Sequence, residues 1–346
     1  MVEFVADAWR SFSRTKEDPY GTAEAGTVLF PFEGDPAQVV PQETVSNESE
    51  NKGNRDADSY DIISKMLVGN HSQRAHPDIL SIAFASILQK VTTDQPNAGT
   101  DAGTYRHYLE RLLTSAGAEM SAAAITMIEN DSVQQKVYTG IVGQSVELKV
   151  GREGFAQLSW DFVGSGAEAN DATAKPSLTG ESYLLAGDMH VNRGSGLTGT
   201  VAGANLALSG GSDLSAKVRE LTFKLSSNVQ PVFEVGDQSK TVTRFDQGPR
   251  FDYSLSVQFE MEDTSHHDAV FSETEYALYI PLIGSLVETN YNYTCGLWFP
   301  QVQYKLSNKT VADGKLVVDA DFMIQEDSTL GSLIIEIING QAAYLG

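Results

Sequence analysis

The segment Gly194–Gly199, GSGLTG, has the glycine spacing of loops that bind the pyrophosphate of a dinucleotide. Such a loop works where a strand enters it and a helix leaves it, because the helix N-terminus then faces the phosphates. Here Gly203, Gly210 and Gly211 follow closely, and glycines weaken a helix. The sequence therefore predicts a flexible hairpin tip in this segment and no bound cofactor.

Histidines and closely spaced aspartates are the residue types that could hold a metal ion. None of the six histidines lies four residues from another, and the adjacent pair His266–His267 is predicted to lie in a solvated loop before a helix. Asp56, Asp58 and Asp61 loosely resemble a calcium loop but lack its central glycine and terminal glutamate. We therefore predict no metal site.

Nucleophilic catalysis has no recognisable signature in the chain. Cys295 is the only cysteine, so an intramolecular disulfide and a thiolate cage are excluded, and a small buried apolar role is predicted for it. No GxSxG elbow, phosphate-binding GxxxxGK[ST] loop or HExxH helix is present. The chain is predicted not to be an enzyme, and an enzyme with an unrecognised site is the alternative.

Charge excludes two further classes of function. The 346 residues carry 24 Lys and Arg against 46 Asp and Glu, a formal net charge of −22. Proteins that bind nucleic acid by neutralising phosphates, or that dock on anionic membranes, need the opposite sign. No apolar run approaches the ~20 residues that cross a bilayer, and the first residues lack a signal-peptide pattern. We expect a soluble protein made inside the cell, with no membrane partner.

The elements that would position functional side chains are predicted to be strands, because apolar residues recur at every second position. The clearest case is 250–260, and the segments 219–226 and 315–324 show the same alternation. Strands with one polar face belong in an antiparallel sheet or sandwich. In 250–260 the apolar face would contain Phe251, Tyr253, Leu255, Val257 and Phe259, and the polar face Asp252, Ser254, Ser256, Gln258 and Glu260.

The chain is predicted to form one domain. Residues 1–60 are expected to be an N-terminal arm and loop, and 61–346 a single β-sandwich domain with a Gly/Ser-rich insertion at 164–215. The apolar run at 79–91 fits a strand or a helix, and 266–280 is the best helix candidate. No internal repeat is visible in the sequence.

Five segments from about residue 104 onward form a pattern of strands and turns. They are 105–107 (YRH), 138–150 (YTGIVGQSVELKV) running into 151–164, 221–236, 246–263 (with GPR before an amphipathic strand) and 297–326. Together they resemble a known family, the major tail tube proteins of long-tailed (siphovirus-like) bacteriophages, over about two thirds of the chain. The insertion at 164–215 and the long acidic start depart from that pattern, and contractile-tail inner tubes and secretion-system tubes are close to it.

The resemblance implies a mainly β, antiparallel sandwich or barrel-like tail tube fold with one flanking α-helix, an extended N-terminal arm and long loops. It implies that six copies form a ring, that rings stack into a tube with a continuous inner β-barrel, and that viral DNA passes through without specific binding. The implied partners are further copies of the chain, the tail terminator, the tape measure protein and the tail tip. The implied location is the virion tail, after assembly in the host bacterial cytoplasm.

A lumen surface is predicted from the same alternation. Six chains of −22 each would place −132 formal charges on a ring, and acidic walls repel a phosphate backbone. The alternative is that these side chains face bulk solvent on the tube exterior. The candidate lumen-facing residues are Asp252, Ser254, Ser256, Gln258, Glu260, Asp319 and Asp321.

Two other classes of non-enzymatic function remain open from the sequence. A β-sandwich module that binds a glycan or a protein would present an aromatic groove, but Trp9, Trp160 and Trp298 are scattered along the chain. Another virion ring protein, such as a tail terminator or a baseplate protein, would form single rings rather than long tubes.

Overall fold

Antiparallel strands make up most of the chain in the computed structural model, which describes residues 8–32, 39–47, 60–112, 120–214, 218–235, 237–248, 250–260, 274–312 and 314–345. One α-helix, α1 (Pro77–Leu88), lies among the described residues. The strands before residue 171 are β1 (Trp9–Phe12), β2 (Val28–Phe30), β3 (Val39–Asn47), β4 (Tyr60–Arg74), β5 (Gln89–Asp94), β6 (Tyr105–Arg111), β7 (Ile125–Asn130), β8 (Gln135–Val150), β9 (Gln157–Gly164) and β10 (Glu168–Asn170). The later strands are β11 (Asn192–Gly194), β12 (Gly196–Thr198), β13 (Ala207–Ser209), β14 (Ser212–Asp213), β15 (Val218–Ser226), β16 (Gln230–Val232), β17 (Arg244–Asp246), β18 (Asp252–Glu260), β19 (Glu275–Leu286), β20 (Asn292–Ala312), β21 (Lys315–Gln325) and β22 (Ile334–Asn339).

Eight of these strands form one antiparallel layer, here called the central sheet. Their spatial order is β3–β4–β9–β8–β15–β18–β21–β20. The alternation predicted for 250–260 is confirmed, because Leu255, Val257 and Phe259 are buried while the residues between them are exposed or half-buried. Alternation places every second side chain on the same face of a strand, so one face of the sheet enters the core.

A second layer covers the apolar face of the central sheet. It is reached through β8 and β20, whose N-terminal halves leave the central sheet and pair elsewhere. β8 pairs there with β7 and β10, and β20 pairs with β19 and β22. β22 then pairs with β6, and β6 with β5. The result is the mainly β, sandwich-like architecture that the sequence predicts.

The helix lies between the two layers, and all of its residues are buried. It forms from the apolar run that fits either a strand or a helix, it begins with Pro77 at its first position, and it ends where Gln89 adopts φ 69°. Phe84 packs against Phe223 of the central sheet with ring centroids 6.3 Å apart, and Phe223 contacts Phe299 of β20. A helix with no exposed face suits this mostly apolar segment. Its buried Asp78 forms an ion pair with Arg14 and accepts a hydrogen bond from the Tyr344 hydroxyl at 2.8 Å.

The prediction of a helix at 266–280 is wrong from residue 275 onward, and residues 266–273 lie outside the described residues. Glu275 begins β19, which pairs with β20 on one side and with β11 on the other. Pairing on both edges satisfies the backbone hydrogen bonds of this segment in extended form, and this tertiary context outweighs a local helical pattern.

The described part of the predicted N-terminal arm includes strands of the sheet. β1 pairs with β2 and β7, and its Arg10 and Phe12 are buried. Arg10 forms a buried ion pair with Glu129 of β7 and donates to the carbonyl of Asn70 at 2.7 Å. The division at residue 60 stays a prediction.

Close contact between the helix and β8 depends on Gly143. A Cβ at this position would collide with the side chains of Ser86 and Ile87 of α1. We expect Gly143→Val to lower the free energy of unfolding by about 1–3 kcal/mol, the range for overpacked cores. Denaturant unfolding followed by tryptophan fluorescence measures this change. Gly180→Val is the control, because a Cβ there meets no atom within 4 Å; equal losses in the two variants would contradict the prediction.

Burial of His71 in β4 should make the stability of the protein depend on pH. It is fully buried, and this burial, together with the charge of Arg10, lowers its pKa to about 3 from the usual 6.5. The folded state therefore excludes a proton that the unfolded chain binds below pH 6.5, so this contribution to stability is present above pH 6.5 and is lost as the pH falls towards 3.

Between pH 7.5 and pH 5, we expect the wild type to lose about 2 kcal/mol more unfolding free energy than His71→Gln, which cannot titrate. Taking the difference between the two proteins removes the contributions of all other titrating groups. Denaturant titrations at several pH values measure it, and parallel stability curves for the two proteins would refute the assignment.

Candidate functional site: the polar face of the central sheet

The structure brings the seven predicted lumen-facing residues together on one surface, the face of the central sheet opposite the core. Five of them alternate along β18 and two along β21, which are neighbours in the sheet. Ser256 lies opposite Asp321 and Gln258 opposite Asp319, and Gln258 Nε2 donates to Asp319 Oδ1 at 2.7 Å. We call this surface the polar face.

The polar face continues over β15, β8 and β9, which supply none of the seven predicted residues. Thr222 and Lys224 of β15 lie opposite Ser256 and Ser254, and Glu147 of β8 lies opposite Lys224. Asp161 of β9 follows, and it accepts hydrogen bonds from Ser145 Oγ at 2.7 Å and from Asn70 Nδ2 at 2.6 Å. The alternation in 145–151 and 219–226 indicates that each strand has a polar face. Only the strand pairing shows that these faces belong to one surface.

Acidic side chains outnumber basic ones on the polar face. Glu260 lies near its edge, where Lys315 Nζ at 2.6 Å and Arg219 Nε at 3.0 Å lower the pKa of its carboxyl group and keep it ionised. Because these strands pair in register, their charges form rows across the sheet. The acids are Glu147, Asp161, Glu220, Asp252, Glu260, Asp319 and Asp321, and the bases are Arg74, Lys149, Lys224 and Lys315.

The opposite face of the same strands is apolar and fully covered. Leu148, Trp160 and Phe223 are at 0% exposure, and Val257 is at 1%. The molecule's own second layer therefore seals one face of the sheet. Among the described residues, no strand or helix covers the polar face over β15, β18 and β21. A rigid, charged, open wall suits passage or contact rather than enclosure of a small ligand.

Among the residues first considered for chemistry, those that the structure describes form no site. Among the described residues, no group of three or more His, Cys, Asp or Glu side chains could hold a metal ion. Asp56, Asp58 and the pair His266–His267 lie outside the described residues. Gly194 ends β11, and the following residues form the β12–β13 hairpin, without a helix.

Cys295 and the tryptophans lie in the interior. Cys295 is fully buried, as predicted, and burial raises the pKa of its thiol to about 12. Trp9, Trp160 and Trp298 are also buried, so none of them lines an aromatic groove. Over the described part of the chain, no helix is long and apolar enough to cross a membrane.

Comparisons with known proteins identify the family. A search of the curated proteins found no match to this chain. A solved structure described as "MrkH, A novel c-di-GMP dependence transcription regulatory factor" aligns at 6% identity over 73% of this chain and 84% of that chain, and its TM-score of 0.11 is too low to support any argument. The family model for phage tail tube proteins matches residues 11–310. The chain therefore belongs to the phage tail tube protein family, the structural proteins of bacteriophage virion tails.

Proposed function

We propose that the protein polymerises into stacked rings with six tube units around a central channel, and that the stack is the tail tube through which the phage genome passes into the host. A tube unit is one copy of the strands that build the tube wall. If each chain forms one unit, a ring contains six chains. The single observation that supports this best is the continuous polar face, which spans a sheet whose other face is sealed by the core.

The polar face is the surface that we assign to the lumen, with Asp252, Ser254, Ser256, Gln258, Glu260, Asp319 and Asp321 on it. When such a sheet closes edge to edge, one face must point inward. The second layer, with α1, β6, β19 and β22, would fill a channel if it lay inside. The thinner polar side is therefore the one that leaves room for DNA.

Acidic side chains on that wall make it non-adhesive. Phosphates are repelled over a distance of about 8–10 Å at physiological salt, whereas a basic wall would bind them in a salt-dependent way. The polar hydroxyl and amide groups between the acids keep the wall hydrated. The genome can then slide without specific binding, and no enzymatic step is required of the chain.

A tube of limited length has two ends and a lumen, and further tail proteins are expected at each. We propose that the tail terminator caps one end, that the tail tip begins the other, and that the tape measure protein occupies the lumen before DNA enters. Assembly in the host bacterial cytoplasm precedes incorporation into the virion tail.

Negative-stain electron microscopy of the purified protein tests the proposal. With rising concentration, and on addition of isolated tail tips as seeds, we expect stacked rings or tubes with a stained central channel. Single rings that never stack would favour a tail terminator or baseplate protein instead. A monomer at every concentration, seeded or not, would refute the proposal.

Charge reversal on β21 tests the lumen assignment. We expect tubes of Asp319→Lys/Asp321→Lys to retain a short DNA duplex during sedimentation at about 50 mM salt and to release most of it at about 200 mM, while wild-type tubes retain none. Glu275→Lys is the control, because Glu275 is an exposed acid on β19 in the other layer. Equal retention by both variants would place these aspartates on the exterior.

A further inference from the structure

The chain contains the same strand arrangement twice. The first unit consists of β1, β3, β4, β7, β8, β9 and β10, and the second of β11, β15, β18, β19, β20, β21 and β22, in the same chain order. All six antiparallel pairings recur: β3–β4, β4–β9, β8–β9, β7–β8, β8–β10 and β1–β7 correspond to β15–β18, β18–β21, β20–β21, β19–β20, β20–β22 and β11–β19.

Local details of the two units also correspond. β8 and β20 are the longest strands, and each runs from the second layer into the central sheet. Each shows a register shift against its partner at that transition, between Gly143 and Ser145 in β8 and between Tyr304 and Leu306 in β20. A bulge bends a strand, so both units make their bend at the same structural position.

The joint between the two units is a strand pairing that could recur between two copies of the chain. Ser145–Val150 of β8 pair with Leu221–Ser226 of β15, which connects the third strand of one unit to the first strand of the next. At the ends of the central sheet, the corresponding strands are β20 and β3. Within the described chain, the outer edges of β3 and of residues 305–312 of β20 pair with no strand.

Direction and charge both permit these two edges to join between chains. The eight strands alternate in direction, so β3 of a second copy would run antiparallel to β20, as β15 runs to β8. The charged side chain of β3 is Glu43, and those of the β20 end are Lys305 and Lys309, so no like charges meet. Because the two edges differ, the contact is head-to-tail, and it forms a closed ring when the rotation between neighbouring chains divides a full turn.

Barrel geometry decides how many chains fit. With strands about 4.8 Å apart and tilted about 40°, a closed sheet of 16, 24 or 48 strands has a backbone diameter of about 32, 48 or 96 Å. Side chains of opposite walls occupy about 10 Å, which leaves channels of about 22, 38 and 86 Å. A DNA duplex, with grooves about 8 Å deep, is about 20 Å wide. The 16-strand channel leaves only about 1 Å on each side of the duplex, too little for a layer of water, and the 48-strand channel leaves about 33 Å, well beyond a Debye length. The 24-strand channel leaves about 9 Å, which admits hydration and keeps the charged wall within about one Debye length.

We propose that each chain supplies two tandem tube units, and that three chains form a ring with six units by pairing β20 of one copy with β3 of the next. This inference rests on the proposed function, and it replaces six chains per ring with three. Through the corresponding pairings, Ser145 of β8 matches Leu306 of β20 and Ser226 of β15 matches Gln42 of β3. Since Ser226 lies opposite Ser145, the repeated joint places residues 39–42 opposite residues 306–309, with Val40 facing Asn308.

Disulfide trapping tests this pairing, because Cys295 is buried and the chain has no other cysteine. We expect Val40→Cys/Asn308→Cys to cross-link in rings under mild oxidation, and a non-reducing denaturing gel to show one, two and three chains and nothing larger. Val40→Cys/Thr310→Cys covers a two-residue slip of register. Val40→Cys/Thr222→Cys is the matched control, because Thr222 lies in the middle of the sheet and should give no cross-link.

Mass photometry of wild-type single rings provides a count that depends on no variant. We expect three times the 37.4 kDa of one chain. Rings of six chains, or a ladder that extends to six, would overturn this inference and leave the proposed function standing. Rings without a cross-link in either pair would overturn the edge pairing. Failure to form any ring, seeded or not, would refute both proposals.

Discussion

The antiparallel pairing of β8 with β15 is the interaction on which the rest of the structure depends. It joins two sets of four strands into one sheet by backbone hydrogen bonds between Ser145–Val150 and Leu221–Ser226. An unpaired edge in the middle of the molecule would leave these groups unsatisfied or open to wrong partners. Because the strands are joined in register, their polar side chains form one continuous wall and their apolar side chains one continuous core.

The helix and the long strands make that wall rigid. α1 is buried along its whole length between the layers, and Gly143 lets it approach the point where β8 bends. β8 and β20 belong to both layers, so neither layer can move without the other. A tube wall needs this stiffness and a repellent surface rather than a reactive group. The burial of Cys295 and the absence of a metal-binding cluster among the described residues fit such a role without being required by it.

Two units with one topology can exist without a visible sequence repeat. A strand in a two-layer fold needs alternating apolar residues and compatible neighbours, and many sequences meet these conditions. The units also differ in what lies between their strands, since α1, β5 and β6 follow β4 in the first unit only, as far as the described residues extend. The resemblance is therefore in hydrogen-bond pairing and not in residue identity.

The sequence by itself determined the β class, the alternation along β15, β18 and β21, the burial of Cys295 and the excess of acids, because these depend on residue type and on neighbours two positions apart. It could not choose between strand and helix for the apolar run that became α1, and it predicted a helix where β19 begins at Glu275. Apolar content alone is compatible with both forms, and the choice depends on which edges are available for pairing. Only the tertiary structure decided that β8 adjoins β15, that Asp161 and Glu147 share a face with Asp319, and that the topology repeats. These facts depend on backbone hydrogen bonds between residues far apart in the chain, which local patterns do not encode.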